Sequence, residues 1–172
     1  MYETPTHHIE LMQRALDLAR HAATLGEVPV GAVIYHLDTH EVIAEAHNRR
    51  ELDQDPTAHA EILALRQAAA KLNSWRLIDH GLAVTLEPCP MCAGALVNAR
   101  IDELLYGATD PMMGCVDTLH QLCTEPRFNH RLTVHSGILA DESAQLLRSF
   151  FAERRSPNRR PKPFSAPEAH GH

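Results

Sequence analysis

Cys89-Pro90-Met91-Cys92 constrains this chain more than any other feature. Two thiols three positions apart can hold one ion when Cys92 falls in the first turn of a helix, whose N–H groups and dipole also favour the thiolate form. Taken alone, the step is open to metal binding, redox chemistry or neither. His59-Ala60-Glu61 narrows the choice. Two thiolates and one imidazole leave the fourth tetrahedral position for water, which marks a catalytic rather than a structural zinc. Glu61 supplies the carboxylate that such chemistry needs to move a proton. Residues two apart on a regular helix point to different sides, so His59 and Glu61 share a pocket only at a helix tip. A helix that begins at Pro56, with Asp55 as its N-cap, puts them there. The expectation is one Zn2+ per subunit on His59, Cys89 and Cys92, with Glu61 as the catalytic residue.

The hydrophobic pattern predicts the scaffold. A helix is expected over 7–25, with Ile9, Met12, Leu16, Ala19 and Ala23 on its buried stripe and Gly26 as its stop. Two β-rich runs follow, 28–36 and 42–46, joined by the polar turn Asp38-Thr39-His40. The first is apolar on both sides, as in a sheet covered on two faces. A polar loop from Asn48 to Asp55 leads to the Pro56 helix, whose stripe is Ile62, Leu65, Ala69 and Leu72. Strands over 82–86, 103–107 and 132–136 alternate with helices over 90–99 and 141–155. This order points to an α/β chain with three α/β/α layers around a central mixed five-stranded sheet. Residues 1–155 are expected to form one domain, and the Pro-rich 156–172 a disordered tail.

With 44% hydrophobic and 22% charged residues the chain reads as a soluble globular protein. Its net charge of −6 gives no general attraction to nucleic acid, so RNA binding needs a local basic patch. Arg148, Arg154, Arg155, Arg159, Arg160 and Lys162, opposed only by Glu153, form one. The four cysteines are too few for a disulfide framework in a chain of 172 residues. No signal peptide and no bilayer-spanning run is seen, which predicts a cytoplasmic protein with no membrane partner. Apart from His59 and the His130 of a motif below, the histidines have no partner at ligand spacing and are expected on the surface.

His59-Ala60-Glu61 followed by Pro88-Cys89-Pro90-Met91-Cys92 resembles the cytidine deaminase superfamily. Further segments resemble its bacterial tRNA-specific adenosine deaminase family: Glu27-Val28-Pro29-Val30-Gly31-Ala32-Val33, Asn48-Arg49, Asp55-Pro56-Thr57-Ala58, Leu86-Glu87, Ala93-Gly94-Ala95, Asn129-His130-Arg131, Gly137-Ile138-Leu139-Ala140 and Phe150-Phe151. The resemblance covers about residues 7–155. It implies a cytidine-deaminase-like fold, conversion of adenosine to inosine at the wobble position of tRNA, binding of the anticodon loop, and a homodimer. It also implies roles by position. Asn48 bonds the base or its ribose, Val30 packs on the purine, and the Cys89 backbone supports the developing oxygen. Asp110, Asn129 and Phe151 meet neighbouring nucleotides or close the pocket. The helix after Cys92 offers Leu96 and Ala99 as an interface stripe.

The chain departs from the family pattern in one loop. Met112, followed by Met113, stands where many members have a lysine, and Asp117-Thr118 replaces a Gly-Ser step. A lysine lost and a carboxylate gained both weaken attraction to phosphate. Two other functions therefore stay open on sequence alone. One is a deaminase of free nucleobases or nucleosides, of guanine or cytosine type. The other is a non-catalytic zinc-stabilised RNA-binding module, which needs a fourth ligand; Cys115 is the candidate.

Overall fold

The computed structural model describes residues 4–155; the tail expected over 156–172 lies outside the described residues. Strand β1 (Gly31–His36) is buried on both sides, with Ala32 and Ile34 facing one layer and Val33 and Tyr35 the other. It pairs antiparallel with β2 (Val42–His47) and with β3 (His80–Leu86). Beyond β3, strands β4 (Glu103–Ala108) and β5 (Thr133–His135) add in parallel. The result is the expected mixed five-stranded sheet, in the order β2-β1-β3-β4-β5. Helices α1 (Thr6–Thr24) and α5 (Ala140–Arg155) cover one face, and α3 (Ala60–Leu72) and α4 (Pro90–Ala99) the other. The fold is the three-layer, cytidine-deaminase-like arrangement that the sequence pattern and the resemblance together implied.

Gly31 fixes how closely the first layer lies on the sheet. A Cβ there would sit 2.1 Å from the Ala15 carbonyl oxygen and 2.8 Å from the Ala19 nitrogen, so α1 rests on the bare backbone of β1. Opposite it, α3 packs through small residues: its buried face is Ala60, Glu61, Ala64, Leu65 and Ala68. The expected stripe of larger residues is displaced, because a helix lying this close to a sheet turns its alanines inward. Ile62 and Ala69 are half-buried and Leu72 is exposed. Likewise α1 buries Leu11, Met12, Ala15, Leu16 and Ala19 and leaves Ile9 exposed.

Other boundaries also shift. Residues 28–30 approach the sheet without joining β1. A single helical turn, α2 (Arg50–Asp53), lies in the segment expected to be loop, and a 3-10 turn forms at Leu122–Thr124. Leu96 of α4 is fully buried in this chain's own core, so it cannot serve as an outer interface stripe; Ala99 is half-buried. His8 and His80, expected on the surface, are buried. Among the described residues no helix is long and apolar enough to cross a membrane.

Replacing Gly31 by alanine forces α1 off the sheet or bends β1. The expected cost is about 1–3 kcal/mol, read as a lower urea midpoint at unchanged m-value.

Candidate metal centre and its cleft

The N-termini of α3 and α4 meet over the carboxyl ends of β3 and β4, the end of a parallel pair at which α/β folds place ligands. His59 is the N-cap of α3, with an extended backbone (φ −74°, ψ 150°), and Cys89 is the N-cap of α4 (φ −71°, ψ 173°). The helix start expected at Pro56 is thus corrected to Ala60. Asp55 does not cap the helix; its Oδ1 accepts the Thr57 amide at 2.8 Å and the Thr57 hydroxyl at 2.7 Å. That local turn competes with helix and delays it by one turn. The correction also explains how His59 and Glu61 share a site. His59 precedes the helix and is free of its periodicity, while Glu61 is in the first turn.

His59 Nδ1 lies 3.6 Å from Cys89 Sγ and 3.6 Å from Cys92 Sγ. Zn–N bonds of ~2.0–2.1 Å and Zn–S bonds of ~2.3 Å at a tetrahedral angle imply an N···S edge of about 3.6 Å. Donor chemistry and spacing therefore fit zinc, and the three residues form a possible metal-binding group. Cys115 does not belong to that group; it is buried in the core, its amide bonded to the Pro88 carbonyl. The Cys89 thiol is pushed down to about 4, first by its hydrogen bond with Cys92 and then by His59. Cys92 is pushed up, first by its hydrogen bond with Cys89 and then by burial. His59 is raised, chiefly by Cys89. Glu61 is only 4% exposed, and burial raises its pKa.

A cleft of about 640 Å³ opens above these groups. Of the residues expected at the substrate, Val30, Asn48, Asp110 and Phe151 line it, as do Met112 and Met113. Asn129 is exposed on the loop before β5 and does not line the cleft. Arg50 and Leu147 also line it and went unread in the sequence, and Arg154, read there as part of the basic patch, joins them. Arg50 and Arg154 bring positive charge to the rim, and Leu147 adds an apolar wall one helical turn before Phe151. Glu27, to which the sequence assigned no role of its own, lies behind the wall. Fully buried, it accepts the Leu52 amide at 2.6 Å and Asn48 Nδ2 at 2.9 Å, fixing the orientation of the Asn48 side chain.

Glu87 holds the loop on which the chain departs from the family pattern. Its Oε1 accepts the amides of Val116 (3.2 Å), Asp117 (2.9 Å) and Thr118 (2.9 Å). Its Oε2 accepts the Asp110 amide at 3.0 Å and the Thr118 hydroxyl at 2.5 Å. Burial works to raise this carboxyl, but the Thr118 hydroxyl and the amides outweigh it, and its pKa is lowered. Gly114 must be glycine here, since a Cβ would sit 2.3 Å from Glu87 Oε2. Asp117 is engaged away from the cleft, accepting the Tyr106 hydroxyl at 2.5 Å. The Asp110 carboxylate caps the Met112 and Met113 amides. Replacing Glu87 by glutamine turns an N–H2 group toward these donors. The expected loss is about 1–3 kcal/mol, with faster amide hydrogen exchange at 116–118.

Comparison with known proteins agrees with this geometry. The family model described as MafB19-like deaminase matches residues 6–155. A tRNA-specific adenosine deaminase of Bacillus subtilis (strain 168) is 48% identical over 144 residues, 84% of this chain and 88% of that protein. A solved structure from work on A-to-I editing by tRNA:A34 deaminases at the wobble position of transfer RNA has 44% identity and a TM-score of 0.76, covering 83% of this chain and 100% of the other. A guanine deaminase from Nitrosomonas europaea is also similar, at 27% identity and a TM-score of 0.75 over 88% of this chain and 87% of its own.

Proposed function

Since the chain belongs to the tRNA-specific adenosine deaminase family, we propose that it hydrolyses adenosine to inosine at the wobble position of tRNA, using zinc held by His59, Cys89 and Cys92. The observation that carries this reading is Glu61, a buried carboxylate beside the three ligands at the floor of the cleft. When bound there, zinc supplies Lewis acidity and an open position at which the pKa of water falls to about 7.

The chain's own residues do the rest. Glu61 takes a proton from the attacking water and delivers it to N1 of adenine as the C6–O bond forms. It then takes the remaining proton from the C6 hydroxyl and passes it to the exocyclic amine as the C6–N bond breaks and the C6 carbonyl forms, so water is consumed and ammonia leaves. A carboxylate whose pKa is raised by burial suits a group that must take up a proton and return it. The backbone N–H of Cys89 supports the oxygen developing at C6. Val30 and Phe151 pack on the purine. Asn48 donates its Nδ2 to Glu27 and so keeps its Oδ1 for a donor on the nucleoside.

A base flipped from a single-stranded loop can reach this depth cheaply. Arg50 and Arg154 at the rim meet the flanking phosphates, with Asp110 shaping the loop between them. The anticodon loop as ligand, a homodimer as the working form and the cytoplasm as location follow from the family, and they belong to this proposal.

Glu61→Gln should keep its zinc, measured by elemental analysis, and lose at least about 100-fold in kcat. Near-normal turnover would remove Glu61 from the mechanism. The similarity to a guanine deaminase and the two methionines at the cleft make free bases the substrate to test against. An anticodon stem-loop should yield inosine while free adenosine and guanine stay unchanged; product from the free base alone would overturn the tRNA assignment.

A further inference from the structure

At the opposite end of the sheet from the cleft, His8, Glu103 and His135 converge from α1, β4 and β5. We propose that these three form a second divalent-metal site, of the two-imidazole, one-carboxylate class, with zinc as its natural occupant. One ligand atom from each lies within 4.8 Å of the others. His8 Nε2 is 3.4 Å from Glu103 Oε2, and His135 Nε2 is 3.6 Å from Glu103 Oε1. Zn–N bonds of ~2.0–2.1 Å and Zn–O bonds of ~2.0–2.2 Å at a tetrahedral angle imply an N···O edge of about 3.3–3.5 Å. The two N···O separations, one to each carboxylate oxygen, are close to that edge, so the three donors can converge on one small ion, and imidazole donors select zinc, cobalt or nickel over magnesium or calcium.

Three further observations support the site. The hydroxyl of Tyr35, a fully buried residue, donates to Glu103 Oε2 at 2.5 Å, the outer bond that orients a ligating carboxylate. Among the described residues the ion-pair partners of Glu103 are these two histidines, with no lysine or arginine, though its side chain is only 19% exposed. No lysine or arginine of the described residues stands ready to balance that carboxylate, and a divalent cation held by the two imidazoles would. Finally, the His8 side chain is 5% exposed and that of His135 42%, so the site is closed on the core side and open to solvent for entry of the ion and its water. Glu103 and Ala108 bound β4, and five strand steps separate the two ends by roughly 17 Å. The site cannot share an ion with His59, Cys89 and Cys92. It acts as a clasp joining α1 to β4 and to the edge strand.

Metal stoichiometry tests the proposal. The full chain is loaded with Co2+ and weighed by native mass spectrometry while its absorption is recorded. Two equivalents are expected. The one at Cys89 and Cys92 carries an intense thiolate-to-metal band, and the other shows only weak visible transitions. His135→Ala, at a half-exposed position, should bind one equivalent and deaminate normally. Tyr35→Phe should weaken the second equivalent by about 10- to 100-fold. Uptake of a single equivalent by the unaltered chain, leaving a histidine–carboxylate network without metal, overturns the site. A second equivalent that survives His135→Ala also overturns it, since the ion then resides elsewhere, as at His170 and His172.

Discussion

Two helix N-termini meeting over the carboxyl ends of the parallel strands set the terms for everything else in this molecule. The parallel pairing of β3 with β4 carries the chain straight into α4 at Cys89, while β2 and α2 lead back to α3 at His59. Each ligand segment arrives as a non-helical cap followed by a helical turn. The caps give His59 and Cys89 freedom of direction, and the turns bring in Cys92 and Glu61 from below. Helix dipoles favour the thiolate that such a site requires. Neither helix could start a residue earlier without swinging a ligand out of the group.

The centre was the most legible part of the sequence because its chemistry admits few residue types. Thiolates, an imidazole and a carboxylate at fixed separations leave little else to mean. The sheet and its layers were legible too, since doubly buried strands write themselves as unbroken apolar runs. Errors arose where local polar chemistry or close packing overrode periodicity. Asp55 closes its own turn on Thr57 and so delays α3. Alanines rather than leucines face the sheet from α3, and on the other side Gly31 lets α1 come near, so periodicity of large residues misplaces both buried faces.

Other roles left no chemical signal in the residues around them. Glu27 and Glu87 sit beside apolar residues and look like ordinary surface carboxylates, yet each is buried by segments far along the chain whose amides it accepts. Arg50 reaches the cleft only because an unexpected helical turn aims it there. Conversely, Asp117 looked like a charge thrust at the substrate and is instead bonded to Tyr106. Of the departures in that loop, the two methionines are the ones that face the cleft.

Glu87 grips the 110–118 loop almost wholly through main-chain amides, which every residue but proline provides. Loop shape and loop identity are thereby uncoupled. Side chains such as Met112 and Met113 can change while the curve of the backbone, and the distance from rim to the His59, Cys89 and Cys92 group, stays the same. A scaffold organised in this way lets selection retune what enters the cleft by editing a few outward-facing positions, leaving the reaction below untouched. Deaminases acting on an RNA loop and on a free purine can then share one architecture, as the similarity of this chain to both kinds illustrates.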